Sequence, residues 1–168
     1  MGETIENRAL RLRSRVLAST PELLRAETEA GGGGNGGPLH RHLRQEERFL
    51  VQEGQLRVRV GLLGSRVVGP GQQAVVPIGT PHTFRVEGEG ARFITEFRPA
   101  WKIAEVFQEL FALAAEGGLS PRGNPKLSDL ALIMARHPDD FFYAPVVPPA
   151  VQRALLRPLA RRAEQGRR

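Results

Sequence analysis

The sequence predicts a mainly β domain, an antiparallel sandwich or barrel, followed by a helical tail. Three observations carry this expectation. Short stretches of alternating apolar and polar residues recur, with turn signals roughly every eight to twelve residues, as in sandwiches and barrels. Nineteen glycines and 13 prolines in 168 residues supply those turns. After Pro99 the apolar period lengthens from that of a strand to that of a helix. A chain of this length makes one unit with a real core. Residues 1–100 are therefore expected to form the barrel, and residues 101–168 a helical tail packed on it in the same structural unit.

In residues 9–16, Leu10, Leu12 and Val16 fall on one side and Arg11, Arg13 and Arg15 on the other, the period of a half-buried strand. After Pro21, residues 22–30 make a second candidate strand with weaker alternation. Residues 31–37 are glycine except for Asn35, the composition of a flexible linker. Too few residues precede them to build a domain and two histidines follow at once, so a loop within one barrel is expected. Three strand pairs come next: 48–52 and 55–60 around Glu53-Gly54, 66–68 and 73–76 around Gly69-Pro70-Gly71, and 83–86 and 92–97 around residues 87–90.

Beyond Pro99, Ile103, Val106, Phe107, Leu110, Phe111 and Ala114 recur at helical spacing, and Gly117-Gly118 stops the run. Asn124-Pro125 can start a second helix with Leu127, Leu130, Ala131 and Met134 on one face, ending before Pro138. Val151, Leu155 and Leu159 mark a third, kinked or interrupted at Pro158, which has no backbone donor.

The formal charge is +6, and of 24 basic residues only Lys102 and Lys126 are lysine. The arginines alternate with apolar residues along strands, or repeat every four residues as Arg153, Arg157 and Arg161 on the last helix. Both patterns describe a solvated face, and with no recognisable binding motif no nucleic-acid partner is expected. Absence of cysteine excludes disulfide frameworks and thiolate zinc sites, and suits a reducing cytoplasm. No segment has the apolar length of a signal peptide or a membrane span. A cytoplasmic protein without a membrane partner is expected.

Four residues carry chemistry. His40 and His42 are two apart, so on a strand both imidazoles face the same side. Glu47 lies an odd step beyond His42 and needs an intervening turn, which residues 43–46 can supply. It shares parity with the apolar Phe49 and Val51, whereas Glu46 shares parity with Arg48 and Gln52, so Glu47 is the inward glutamate. His82 follows the rigid stretch Pro77-Ile78-Gly79-Thr80-Pro81 and shares parity with Phe84 and Val86. Three imidazoles and one carboxylate suit a divalent transition metal: iron, manganese, cobalt, nickel, copper or zinc. Phe49, Val51, Phe84, Val86, Phe93, Thr95 and Phe97 share inward parity, and all of these but Val86 are the candidate substrate pocket. His137, before Pro138, is expected to be structural.

At these residues the chain resembles a known family. Gly34-x5-His40-x-His42-x4-Glu47-x6-Gly54 is similar to the first cupin motif, and Gly71-x5-Pro77-x-Gly79-x2-His82 to the second, 16 residues apart. Val86 stands where the family often has asparagine, a position that is not a metal ligand. Residues 42–54 also resemble the conserved-barrel (cupin 2) group of small single-domain bacterial cupins. The resemblance implies an antiparallel jelly-roll barrel, a double-stranded β-helix, with one metal per chain held by His40, His42, Glu47 and His82 and two coordination positions open. It implies a metal-dependent dioxygenase or related oxidoreductase acting on a small apolar or aromatic chelating molecule. Glu47 is then a ligand first and, on detaching, a catalytic proton acceptor. An isomerase or lyase using the ion as a Lewis acid, and a small-molecule-binding protein without turnover, are the alternatives. A homodimer is the expected assembly.

Overall fold

The alternating segments pair into one antiparallel sheet that bends on itself, and the helical period of the tail produces three helices laid against it. The computed structural model describes residues 4–120, 123–140, 144 and 146–166. Its elements are β1 (Thr4–Asn7), β2 (Leu12–Ser19), β3 (Leu24–Gly31), β4 (Glu46–Val60), β5 (Gly64–Val68), β6 (Gln73–Val76), β7 (His82–Arg98), α1 (Ile103–Ala115), α2 (Leu127–Arg136) and α3 (Pro149–Gln165). The strand order is β1-β2-β3-β7-β4-β5, with β6 also pairing with β4.

Three local expectations are corrected. Residues 8–11 are the turn between β1 and β2, closed by Arg11 N–H donating to the Arg8 carbonyl at 3.2 Å, so the strand expected over 9–16 begins at Leu12. Residues 53–54 and 87–90 do not separate strands. They are bends inside β4 and β7, which pair from Glu46 opposite Arg98 to Val60 opposite His82 while the register slips around Val51–Gln55. Such slips bend a strand without ending it. The bend needs Gly54, whose φ is +71° and where a Cβ would overlap the Gly90 carbonyl oxygen. Gly54→Ala is expected to destabilise the protein by about 2 kcal/mol or more, because neither the backbone angle nor the opposing backbone can yield cheaply. The shift of the urea midpoint measures it.

The third correction concerns α3, which continues through Pro158. Its apolar line is also rotated from the one expected. Ala160 is buried and Leu156 packs against the second core cluster, while Val151 and Leu155 are exposed.

Two apolar clusters hold the fold. The first fills the barrel around Phe49, Val51, Leu56, Val58, Phe84 and Phe93. The second joins Leu24 and Phe97 of the barrel to Ile103 and Val106 of α1 and to Ile133 and Met134 of α2. His137 donates from Nε2 to Glu109 Oε1 at 2.7 Å, tying the end of α2 to α1. Among the described residues no helix is long and apolar enough to cross a membrane.

Candidate metal centre

The glycine-rich run before His40 is a strap laid along the start of β7. Gly36 N–H donates to the Phe84 carbonyl at 3.0 Å, and Val86 N–H to the Gly34 carbonyl at 2.8 Å. A Cβ on Gly36 would come within 2.7 Å of the Phe84 ring, so only glycine lets the strap lie this close. Three residues after the strap, His40 pairs backbone to backbone with His82, with N–H to carbonyl distances of 3.1 and 2.7 Å. Gly79 N–H then donates to the His42 carbonyl at 2.7 Å. The chain bends at Leu43 and Arg44, and Glu47 enters as the second residue of β4.

These constraints bring His40, His42, Glu47 and His82 together. One ligand atom from each lies within 4.8 Å of all the others, and those atoms are buried although the His40 residue as a whole is half-buried. Glu47 Oε2 is 2.6 Å from His82 Nε2 and 3.4 Å from His42 Nε2. The Nδ1 of His40 lies 2.7 Å from the Pro38 carbonyl, and that of His82 2.9 Å from the Thr80 carbonyl. Each Nδ1 therefore carries hydrogen and donates, which leaves Nε2 as the ligating nitrogen. Two donors bound about 2.1 Å from one ion can be at most about 4.2 Å apart, so the cluster reaches a ligating geometry with shifts of under about 1 Å. Donor type and spacing both fit a divalent transition metal. Glu46 turns away and pairs with Arg48 at 2.7 Å.

Burial holds His40 neutral, pushing its pKa down to about 3, and burial likewise lowers that of His42. Burial opposes ionisation of Glu47, yet the charge of His82 and the hydrogen bonds from both histidines outweigh it and hold the carboxyl well below its usual range. For His82 burial acts against the proton, but the Glu47 carboxylate overcomes this and raises its pKa. An ion bound there must displace any proton from His82 Nε2, so affinity falls as pH drops through the raised His82 pKa. Calorimetric titration across a pH series is expected to show weaker binding towards low pH, with proton release on binding.

The tail reaches this centre. Buried Gln45, beside the His42 bend, donates from Nε2 to Oδ1 of buried Asp140, just past α2, at 2.6 Å. Lys102 N–H donates to the same oxygen at 3.4 Å.

The cluster stands in the wall of a cavity of about 460 Å³. Of the residues expected to form the pocket, Phe49, Phe84, Phe93, Thr95 and Phe97 line it. Val51 does not; it is buried in the first apolar cluster. The opposite wall is α1, through Ala104, Phe107, Gln108, Leu110 and Phe111, and β1–β3 add Asn7, Ser14 and Thr28. Sequence reasoning placed none of these at the pocket. Ser14 had a readable signal, since it shares parity with Leu12 and Val16. No arginine or lysine lines the cavity among the described residues.

Residues 27–95 match the family model of the cupin domain. An RmlC-like cupin from Shewanella frigidimarina superposes with a TM-score of 0.53 and 25% identity, covering 60% of this chain and 86% of that one. Residues 27–95 are a cupin domain, and the barrel has the cupin fold. The cupin domain of Cnp3 from Schizosaccharomyces pombe shares the fold, with a TM-score of 0.50 and 16% identity over 57% of this chain and 67% of that one. A stretch of 78 residues of this cupin is 33% identical to quercetin 2,3-dioxygenase of Bacillus subtilis. That stretch is 46% of the chain but only 23% of the relative's length.

Proposed function

We propose that this cupin binds one divalent transition-metal ion through His40, His42, Glu47 and His82, and that it is a dioxygenase or related oxidoreductase. Its substrate in this reading is a small apolar or aromatic molecule that chelates through adjacent oxygens. The observation that carries it is the cavity wall: phenylalanines from β4, β7 and α1 line the same cavity as the cluster, and among the described residues no lysine or arginine lines it. A sugar phosphate entering there loses its hydration with no cation to replace it, at a cost of several kcal/mol or more. A flat diketone or flavonol loses little. The likeness of 78 residues to quercetin 2,3-dioxygenase supports the same class of chemistry.

When bound, the ion supplies a Lewis acid with open positions and, as iron or manganese, a redox couple. The chain supplies the rest. The His40 and His82 rings, held by backbone carbonyls, orient the site. Phe49, Phe84 and Phe97 exclude water and clamp the substrate plane. Glu47, a ligand first, would take the proton of a chelating hydroxyl on detaching from the ion. Homodimerisation belongs to the same proposal, and sedimentation at the monomer mass removes it.

The test is to reconstitute metal-free protein anaerobically with iron(II), manganese(II), cobalt(II) or nickel(II), then admit oxygen with flavonols, catechols or β-diketones. Oxygen consumption matched to substrate loss is expected with at least one pair. No consumption with any metal, alongside tight binding of a phosphorylated ligand, replaces this reading with the isomerase or binding-protein alternative.

A further inference from the structure

The cavity has a second polar pole. Ser14 on β2 and Thr28 on β3 face each other, Oγ to Oγ1, at 2.9 Å, both buried and both lining the same cavity as the metal cluster. Two hydroxyls carry two hydrogens, and their mutual bond uses one. The other finds no acceptor among the described residues. Buried Asn7 on β1 also lines the space. Its Oδ1 accepts the Leu10 N–H at 3.1 Å, and its Nδ2 donates to no described residue. Donors in a cavity wall that the protein leaves unspent are available to an oxygen placed there.

Strand register places this pole. Glu47 stands opposite Phe97, which stands opposite Leu24. Four residues further along β4, Val51 stands opposite Phe93, which stands opposite Thr28, which stands opposite Ser14. At ~3.3 Å per residue that separates the two poles by about 13 Å of strand. The wall between them includes Val16, Ala26 and Phe49, with the Thr95 hydroxyl among them.

We propose that Ser14 and Thr28, assisted by Asn7, form a second recognition point for a hydroxyl or carbonyl oxygen at the end of the ligand remote from the metal cluster. The ligand is then elongated and mostly apolar, with oxygen functions at both ends roughly 10 Å apart, a little less than the strand distance. The chelating end rests on the proposed function above; the remote pole stands on its own geometry.

The test titrates 4-methylphenol and toluene into the full chain by calorimetry, with and without zinc, in wild type and in Ser14→Ala/Thr28→Val. Replacing both partners at once leaves neither hydroxyl stranded, so the variant is expected to fold. Thr28→Val alone serves as a second variant. Wild type is expected to bind 4-methylphenol at least as tightly as toluene, and the double variant to bind it about tenfold more weakly with toluene affinity unchanged. Equal phenol affinity in wild type and variant, or wild type preferring toluene tenfold, overturns the proposal. A phenol preference that depends on Ser14 and Thr28, together with no oxygen consumption on any flavonol, removes the dioxygenase reading and leaves the second pole standing.

Discussion

His82→Ala is expected to lower metal affinity by at least about 100-fold, the upper end of what loss of even an outer-sphere partner costs at such sites. Its ring is held between the Thr80 carbonyl and Glu47 Oε2, 2.9 and 2.6 Å away, so no neighbouring side chain can replace it. The fold survives, because the link between His40 and residue 82 is made by backbone groups. His42→Ala and Glu47→Gln are expected to act alike, since both meet in the same buried cluster. Glu46→Gln is the control and keeps full binding, because Glu46 pairs with Arg48 instead. Elemental analysis after dialysis reads all four, and equal metal content in wild type, His42→Ala and His82→Ala sinks the assignment. X-ray absorption of the loaded protein is expected to give metal–nitrogen distances of about 2.0–2.2 Å.

The second large effect lies in the tail. Ile103 and Val106 are fully buried between the barrel and α2. Ile103→Ala is expected to cost about 2–5 kcal/mol, the range for truncating a buried aliphatic side chain that leaves a cavity. The consequence reaches function, because α1 also presents Phe107, Leu110 and Phe111 to the cavity that holds the cluster. Loosening α1 wets that wall. Urea unfolding of the loaded protein measures the cost. The unmodified chain is expected to resist limited proteolysis between barrel and tail. Clean release of residues 101–168, leaving a soluble metal-loaded barrel, contradicts the packing.

Much of the candidate centre was legible because it is local. Parity along a strand is a property of covalent geometry, so the choice of Glu47 over Glu46 needed only neighbours of known polarity. The same rule picked Phe49, Phe84, Phe93, Thr95 and Phe97, all of which line the cavity. It also picked Val51, which does not, since parity reports the face of a sheet and not which part of that face a ligand space touches. Residues 53–54 and 87–90 read as turns because glycine permits a reversal and a bend alike. Opposite Gly54, the Gly90 carbonyl occupies the place of a side chain and makes the bend, a contact between positions far apart in sequence.

The sequence by itself determined the alternation that makes strands, the helical period after Pro99, and the inward parity of Glu47 and His82. Each follows from backbone periodicity and the chemistry of single residues. Only the tertiary structure decided that α1 walls the cavity, that Asp140 reaches Gln45 beside His42, and that the hydrogen-bonded Ser14 and Thr28 face into it. Those three depend on which faces find one another once the chain has closed. Closure is driven by non-directional burial of apolar surface, which rewards any close-packed arrangement and leaves no periodic trace of its partners along the chain.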